Sequence, residues 1–75
     1  MRYKPEELLR KTVQFDEDVT VDKIVFFKGL QGYITADIND ILAINLYDVV
    51  EGLDSGWVTF KDMSWIRDKF SIVED

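Results

Sequence analysis

From Lys23 to Ile34 the chain reads KIVFFKGLQGYI, an apolar run interrupted by two glycines three residues apart. The pattern predicts a strand, a tight turn and a second strand through Tyr33, Ile34, Thr35 and Ala36, with Gly29 and Gly32 placed where the backbone needs positive φ or close approach. Alternation of apolar and polar positions extends in both directions. Val13 and Phe15 share one face of a strand that ends at Asp16-Glu17-Asp18, and Val19 and Val21 resume the alternation. Ile24 to Phe27 is apolar on both faces, so this strand is either buried on both sides or shifted by a bulge near Asp22-Lys23. Asp37 to Asp40 has turn chemistry. Ile41 to Val50 follows as a strand with Leu42, Ile44 and Leu46 on one face and Asn45 and Tyr47 on the other. After a loop from Glu51 to Gly56, Trp57 to Phe60 forms a short strand with Val58 and Phe60 in phase. Residues 62–66 lose the alternation and suggest a single helical or 3₁₀ turn. Phe70 and Ile72 mark a last strand.

One segment has helical rather than extended signals. Lys4 to Lys11, KPEELLRK, places Pro5 at a first helical position, Glu6 and Glu7 at the positive end of the dipole, and Arg10 and Lys11 at the negative end. Two turns are marginal alone, so Leu8 and Leu9 are expected to dock this segment as a lid; the other reading is a mobile basic arm.

The 75 residues form a single domain, with 1–11 the short basic helix or arm and 12–75 the body. The expected class is mainly β: five or six short strands, about ten residues apart, in a small closed or nearly closed antiparallel barrel. With neither cysteine nor histidine, disulfides and thiolate metal sites are excluded as props, and stability rests on packing. Ten aromatic residues are more than so small a core absorbs, which leaves rings for a surface contact.

Val25-Phe26-Phe27-Lys28-Gly29-Leu30-Gln31-Gly32-Tyr33-Ile34, an Asp/Asn turn, an apolar strand and then Trp57-Val58-Thr59-Phe60-Lys61-Asp62-Met63 resemble the Src-homology-3-like small barrels, including KOW-type and Tudor-like modules. The resemblance spans about Val19 to Val73 and implies a barrel that binds a partner. Asn45-Leu46-Tyr47-Asp48-Val49 is similar to the ALYDY box of true Src-homology-3 peptide binders. In that family the box opens the domain and a Trp-Trp pair follows, whereas here 26 residues remain after Val49 and Trp57 and Trp65 are apart. Recognition of proline-rich peptides is therefore a minor reading.

Charge narrows the partner. Residues 1–11 carry a net +2 and residues 12–75 a net −8, so the body repels nucleic acid and anionic lipid and favours a protein partner with a basic surface. Enzyme activity is not expected: the usual general base and thiol nucleophile are absent. No cofactor or metal is expected either. The span from Asp37 to Asp48 has acids at both ends of twelve residues, but Ile41 and Leu42 stand where a calcium loop needs an oxygen ligand and a glycine.

The candidate binding residues are Tyr33, Tyr47, Trp57 and Trp65, the two tryptophans being read either as caps on the core or as surface rings. The candidate acidic rim is Asp16, Glu17, Asp18, Asp37 and Asp40. The function expected is a non-enzymatic protein-binding module or a small regulatory or inhibitor subunit of the kind bacteriophages encode. Two alternatives are kept: an acidic nucleic-acid mimic that blocks a DNA- or RNA-binding enzyme, and a nucleic-acid-binding barrel acting through Arg2, Lys4, Arg10 and Lys11. Self-association is compatible with each. No apolar run spans a membrane and residues 1–11 lack the apolar core of a secretory signal, so a cytoplasmic location is expected.

Overall fold

The computed structural model describes Tyr3, Lys4 and residues 6–73. It contains seven strands: β1 (Thr12–Phe15), β2 (Val19–Val21), β3 (Ile24–Phe26), β4 (Gln31–Ile38), β5 (Ile41–Leu46), β6 (Trp57–Lys61) and β7 (Phe70–Ile72). A 3₁₀ helix, Ser64–Lys69, precedes β7. All pairings are antiparallel, in a five-stranded sheet of order β6-β5-β4-β1-β7 and a separate β2-β3 hairpin. The mainly β expectation holds. The closed or nearly closed barrel of five or six strands is not seen: the described residues make seven strands in two antiparallel sheets that are not closed into a barrel.

Two local features account for the difference. Asp22 and Lys23 both have positive φ, +51° and +67°, which forms a two-residue hairpin turn and divides the run from Val19 to Phe27 into β2 and β3. The predicted alternatives there, a strand buried on both faces or a bulge, give way to a reversal of the chain. Gly29 then lies between β3 and β4, which are consecutive but pair with other strands, and Gly32 lies within β4. Gly29 supplies positive φ at +91°, with its N–H donating to the Phe15 carbonyl.

Gly32 meets the other requirement, close approach. A Cβ there would stand 2.7 and 2.8 Å from the Ile44 side chain and 2.9 Å from the Asn45 carbonyl oxygen. The side chain could turn away but the carbonyl belongs to the β4-β5 ladder. Gly32→Ala is therefore expected to lose about 1–3 kcal/mol in urea unfolding. A loss within 0.5 kcal/mol, on the order of a neutral surface change, would show that the ladder yields.

The N-terminal segment corrects a second expectation. Described residues 6–10 form turns instead of a helix, with Glu6 and Arg10 at φ +72° and +61°. Tertiary bonds override the helical propensity. Arg10 N–H donates to the Ile34 carbonyl and Ile34 N–H to the Lys11 carbonyl, which extends the β1-β4 ladder backwards. Leu8 is fully buried, so these residues dock on the body as expected of a lid. Pro5 and Arg2, which entered the helix and basic-arm readings, lie outside the described residues.

The core lies between the curved inner face of the large sheet and the hairpin laid across it. Val13, Phe15, Ile34, Leu42, Ile44, Leu46, Phe60 and Phe70 point inward from the sheet, and Val19 and Phe26 come from the hairpin. Four phenylalanines run through it. Phe26 stacks on Phe15 at 5.5 Å and meets Phe60 edge-on at 5.3 Å, while Phe15 meets Phe70 edge-on at 4.7 Å. One hairpin ring thus touches both β1 and the edge strand β6, three positions apart in the sheet, which requires the sheet to curl around it.

Candidate functional site

Inward packing of alternate residues leaves the other set on the outer face of the five-stranded sheet. Its register puts Thr12 opposite Tyr33, Tyr33 opposite Asn45, and Asn45 opposite Trp57, a row across β1, β4, β5 and β6. Tyr47 follows β5; its N–H donates to the Gln31 carbonyl and its hydroxyl lies 3.1 Å from Thr12 Oγ1. Three of the four candidate rings therefore share one face. Tyr33, Tyr47 and Trp57 are 36%, 55% and 61% exposed.

Trp65 is elsewhere. It is exposed, but it rides on the 3₁₀ helix, which joins the sheet at the β4-β5 turn through Arg67 and Asn39, whereas Trp57 opens β6 at the opposite end. The structure also puts Ile38 and Ile41, paired in register and both exposed, on the outer face near the β4-β5 turn. The sequence reading placed neither there.

One candidate of the acidic rim, Asp37, is not at the surface. Asp37, expected at the surface in a turn, is fully buried within β4, because β4 carries a bulge between Ile34 and Ala36. The extra residue, Thr35, reverses the alternation, so Asp37 points inward and Ile38 outward. Asp37 Oδ1 accepts from Arg67 Nε at 2.8 Å and Arg67 Nη2 at 2.6 Å, and Oδ2 accepts from the Leu8 N–H at 3.1 Å. Arg67, itself 1% exposed, also donates to the Asn39 carbonyl at 2.6 Å. This buried pair fastens the N-terminal segment, the β4-β5 turn and the 3₁₀ helix together.

The other rim candidates have local duties. Asp16 accepts from the Ser71 hydroxyl at 2.7 Å, Glu17 pairs with Lys69 at 2.6 Å, and Asp18 Oδ1 accepts the Lys28 N–H at 2.7 Å. Asp40 sits in the β4-β5 turn, its carbonyl accepting from Asp62. Asp48 and Asp54 border a depression with Tyr47. Among the described residues no group of three or more carboxylates is placed to hold a metal ion, and no helix is long and apolar enough to cross a membrane.

Comparison with protein-family models, curated proteins and solved structures gave no match.

Proposed function

We propose that this chain is a non-enzymatic protein-binding module whose contact face is the outer surface of the five-stranded sheet, centred on Tyr33, Tyr47 and Trp57. The observation that carries the reading is the register row from Thr12 to Trp57, which puts Tyr33 and Trp57 on either side of Asn45, with Tyr47 joined to the row at Thr12, while four of the five phenylalanines fill the core. Exposed aromatic residues grouped on one face are the usual anchors of protein interfaces. The net −8 of residues 12–75, with Asp48 and Asp54 beside Tyr47, favours a partner with a basic surface. The lack of histidine and cysteine supports a role without catalysis.

The same reading takes the fold as an open member of the Src-homology-3-like architecture. A hairpin inserted between the first two strands of the five-stranded sheet, a 3₁₀ helix before the last strand and the return of that strand to pair with the first support it.

Affinity capture from the native host, comparing Trp57→Ala with Trp65→Ala, separates the face from exposed aromatics in general. Trp57→Ala is expected to weaken capture of a partner at least tenfold, with stability changed by about 0.5 kcal/mol or less. Trp65→Ala is expected to keep it. Equal losses in the two variants, or none in either, would count against the outer face.

A further inference from the structure

A second group of exposed apolar residues lies away from the outer face. Lys23, Val25 and Phe27 alternate on the outward side of the hairpin, opposite Ile24 and Phe26, and form one wall of a groove. Val49, Val50 and Glu51 of the β5-β6 loop form the other. Val25, Phe27 and Val49 are 51%, 41% and 94% exposed, a large apolar outlay for a surface loop and hairpin.

The backbone beside this groove is open as well. Around a two-residue turn the closing pair, Val21 and Ile24, exchanges hydrogen bonds, so the next pair, Thr20 and Val25, does not. The N–H and C=O of Val25 therefore point to the free edge of β3. No backbone hydrogen bond from the β5-β6 loop reaches Val25 among the described residues. A free strand edge beside an apolar groove has the two elements of strand addition: main-chain groups for affinity and a trough for alternate side chains.

Charge gives the occupant its sign. Glu51 lines the groove, and Asp48 and Asp54 line the adjoining depression that shares Val49 and Val50, against the single ammonium of Lys23. We infer that the groove takes an extended segment of a partner protein, added to the free edge of β3, with aliphatic residues at alternate positions and Lys or Arg between them. Trp57 and Tyr33 do not line this groove, which meets the outer face only through the depression that Tyr47, Asp48 and Asp54 share with Val49 and Val50.

The test uses an end-blocked octapeptide of alternating Lys and Val, titrated into the ¹⁵N-labelled full chain. Two control peptides accompany it: one with Glu for Lys, the other N-methylated at alternate backbone nitrogens. Shift changes are expected at Val25, Phe27 and Val49 to Gly52, with at least tenfold weaker binding of both controls. Val49→Ser, at a position with nothing to unfold, should weaken the Lys-Val peptide at least threefold, and Trp57→Ala should leave it unchanged. Equal binding of the N-methylated peptide would overturn strand addition, and equal binding of the Glu peptide would overturn the charge assignment. No shift changes, changes confined to Tyr33 and Trp57, or concentration-dependent shifts of the groove amides without peptide would replace the proposal by no site, the other face, or self-association.

Discussion

Replacing Arg67 with alanine is expected to destabilise the chain by about 3–5 kcal/mol, because it leaves the fully buried Asp37 carboxylate without its charged partner. Small domains have a total stability of about 5–15 kcal/mol, so the variant should unfold at a much lower denaturant midpoint. The loss reports the orphaned charge more than the worth of the pair. Asp37→Leu combined with Arg67→Met removes both charges and should therefore recover most of the stability that Arg67→Ala loses, although the tie to Leu8 N–H and the Asn39 carbonyl goes with it. Urea unfolding of the two variants side by side decides the matter. If Arg67→Ala lost under about 1 kcal/mol, the carboxylate would have found water, and the burial of this end of the sheet would be wrong.

Phe26→Ala carries the second large effect, about 3–5 kcal/mol. Its ring is 2% exposed and is the hairpin's contact with both Phe15 and Phe60. Truncation removes the stacking partner of one strand and the edge-on partner of another, and leaves a cavity that the curled sheet closes only in part. For a chain this size the thermal midpoint should fall by well over 10 °C. A change of a few degrees would mean that the hairpin is not seated on the sheet.

Both effects come from places where the alternation of the sequence is interrupted, and there the sequence was hardest to read. Most strand positions were legible: Val13 and Phe15, Leu42, Ile44 and Leu46, and Phe60 and Phe70 are inward as their period of two predicts. Tyr33 and Tyr47 are outward for the same reason. Thr35 gives no compositional sign of a bulge, and the Asp/Asn chemistry of residues 37–40 put Asp37 in a solvated turn, whereas β4 runs on to Ile38 and the bulge turns Asp37 inward. Asp22-Lys23 likewise lacks the glycine or asparagine that usually marks a two-residue turn, and the β2-β3 hairpin was invisible. In the N-terminal segment the local signals favoured a helix, and bonds to Ile34, 24 residues from Arg10, decided otherwise.

The candidate site divides along the same line. Ring positions on regular strands could be assigned to a face from sequence, but which rings meet depends on register between strands, and that brings Trp57 level with Tyr33 and leaves Trp65 at the far end. The acidic rim was read from composition alone, and a carboxylate's place depends on which partner reaches it: Arg67 for Asp37, Ser71 for Asp16, Lys69 for Glu17. The groove beside β3 had no sequence sign, since a run apolar on both faces does not tell which of its residues, Val25 and Phe27 among them, point outward.

Paramagnetic relaxation from a soluble gadolinium chelate, measured on the Trp57 indole and the Tyr33 and Tyr47 rings in the free chain and in complex with its captured partner, tests the outer contact face most directly. Strong relaxation of all three in the free chain, and protection of all three in the complex while Trp65 stays accessible, is the predicted result. Rings already shielded in the free monomer, or left as accessible in the complex as before, would contradict it.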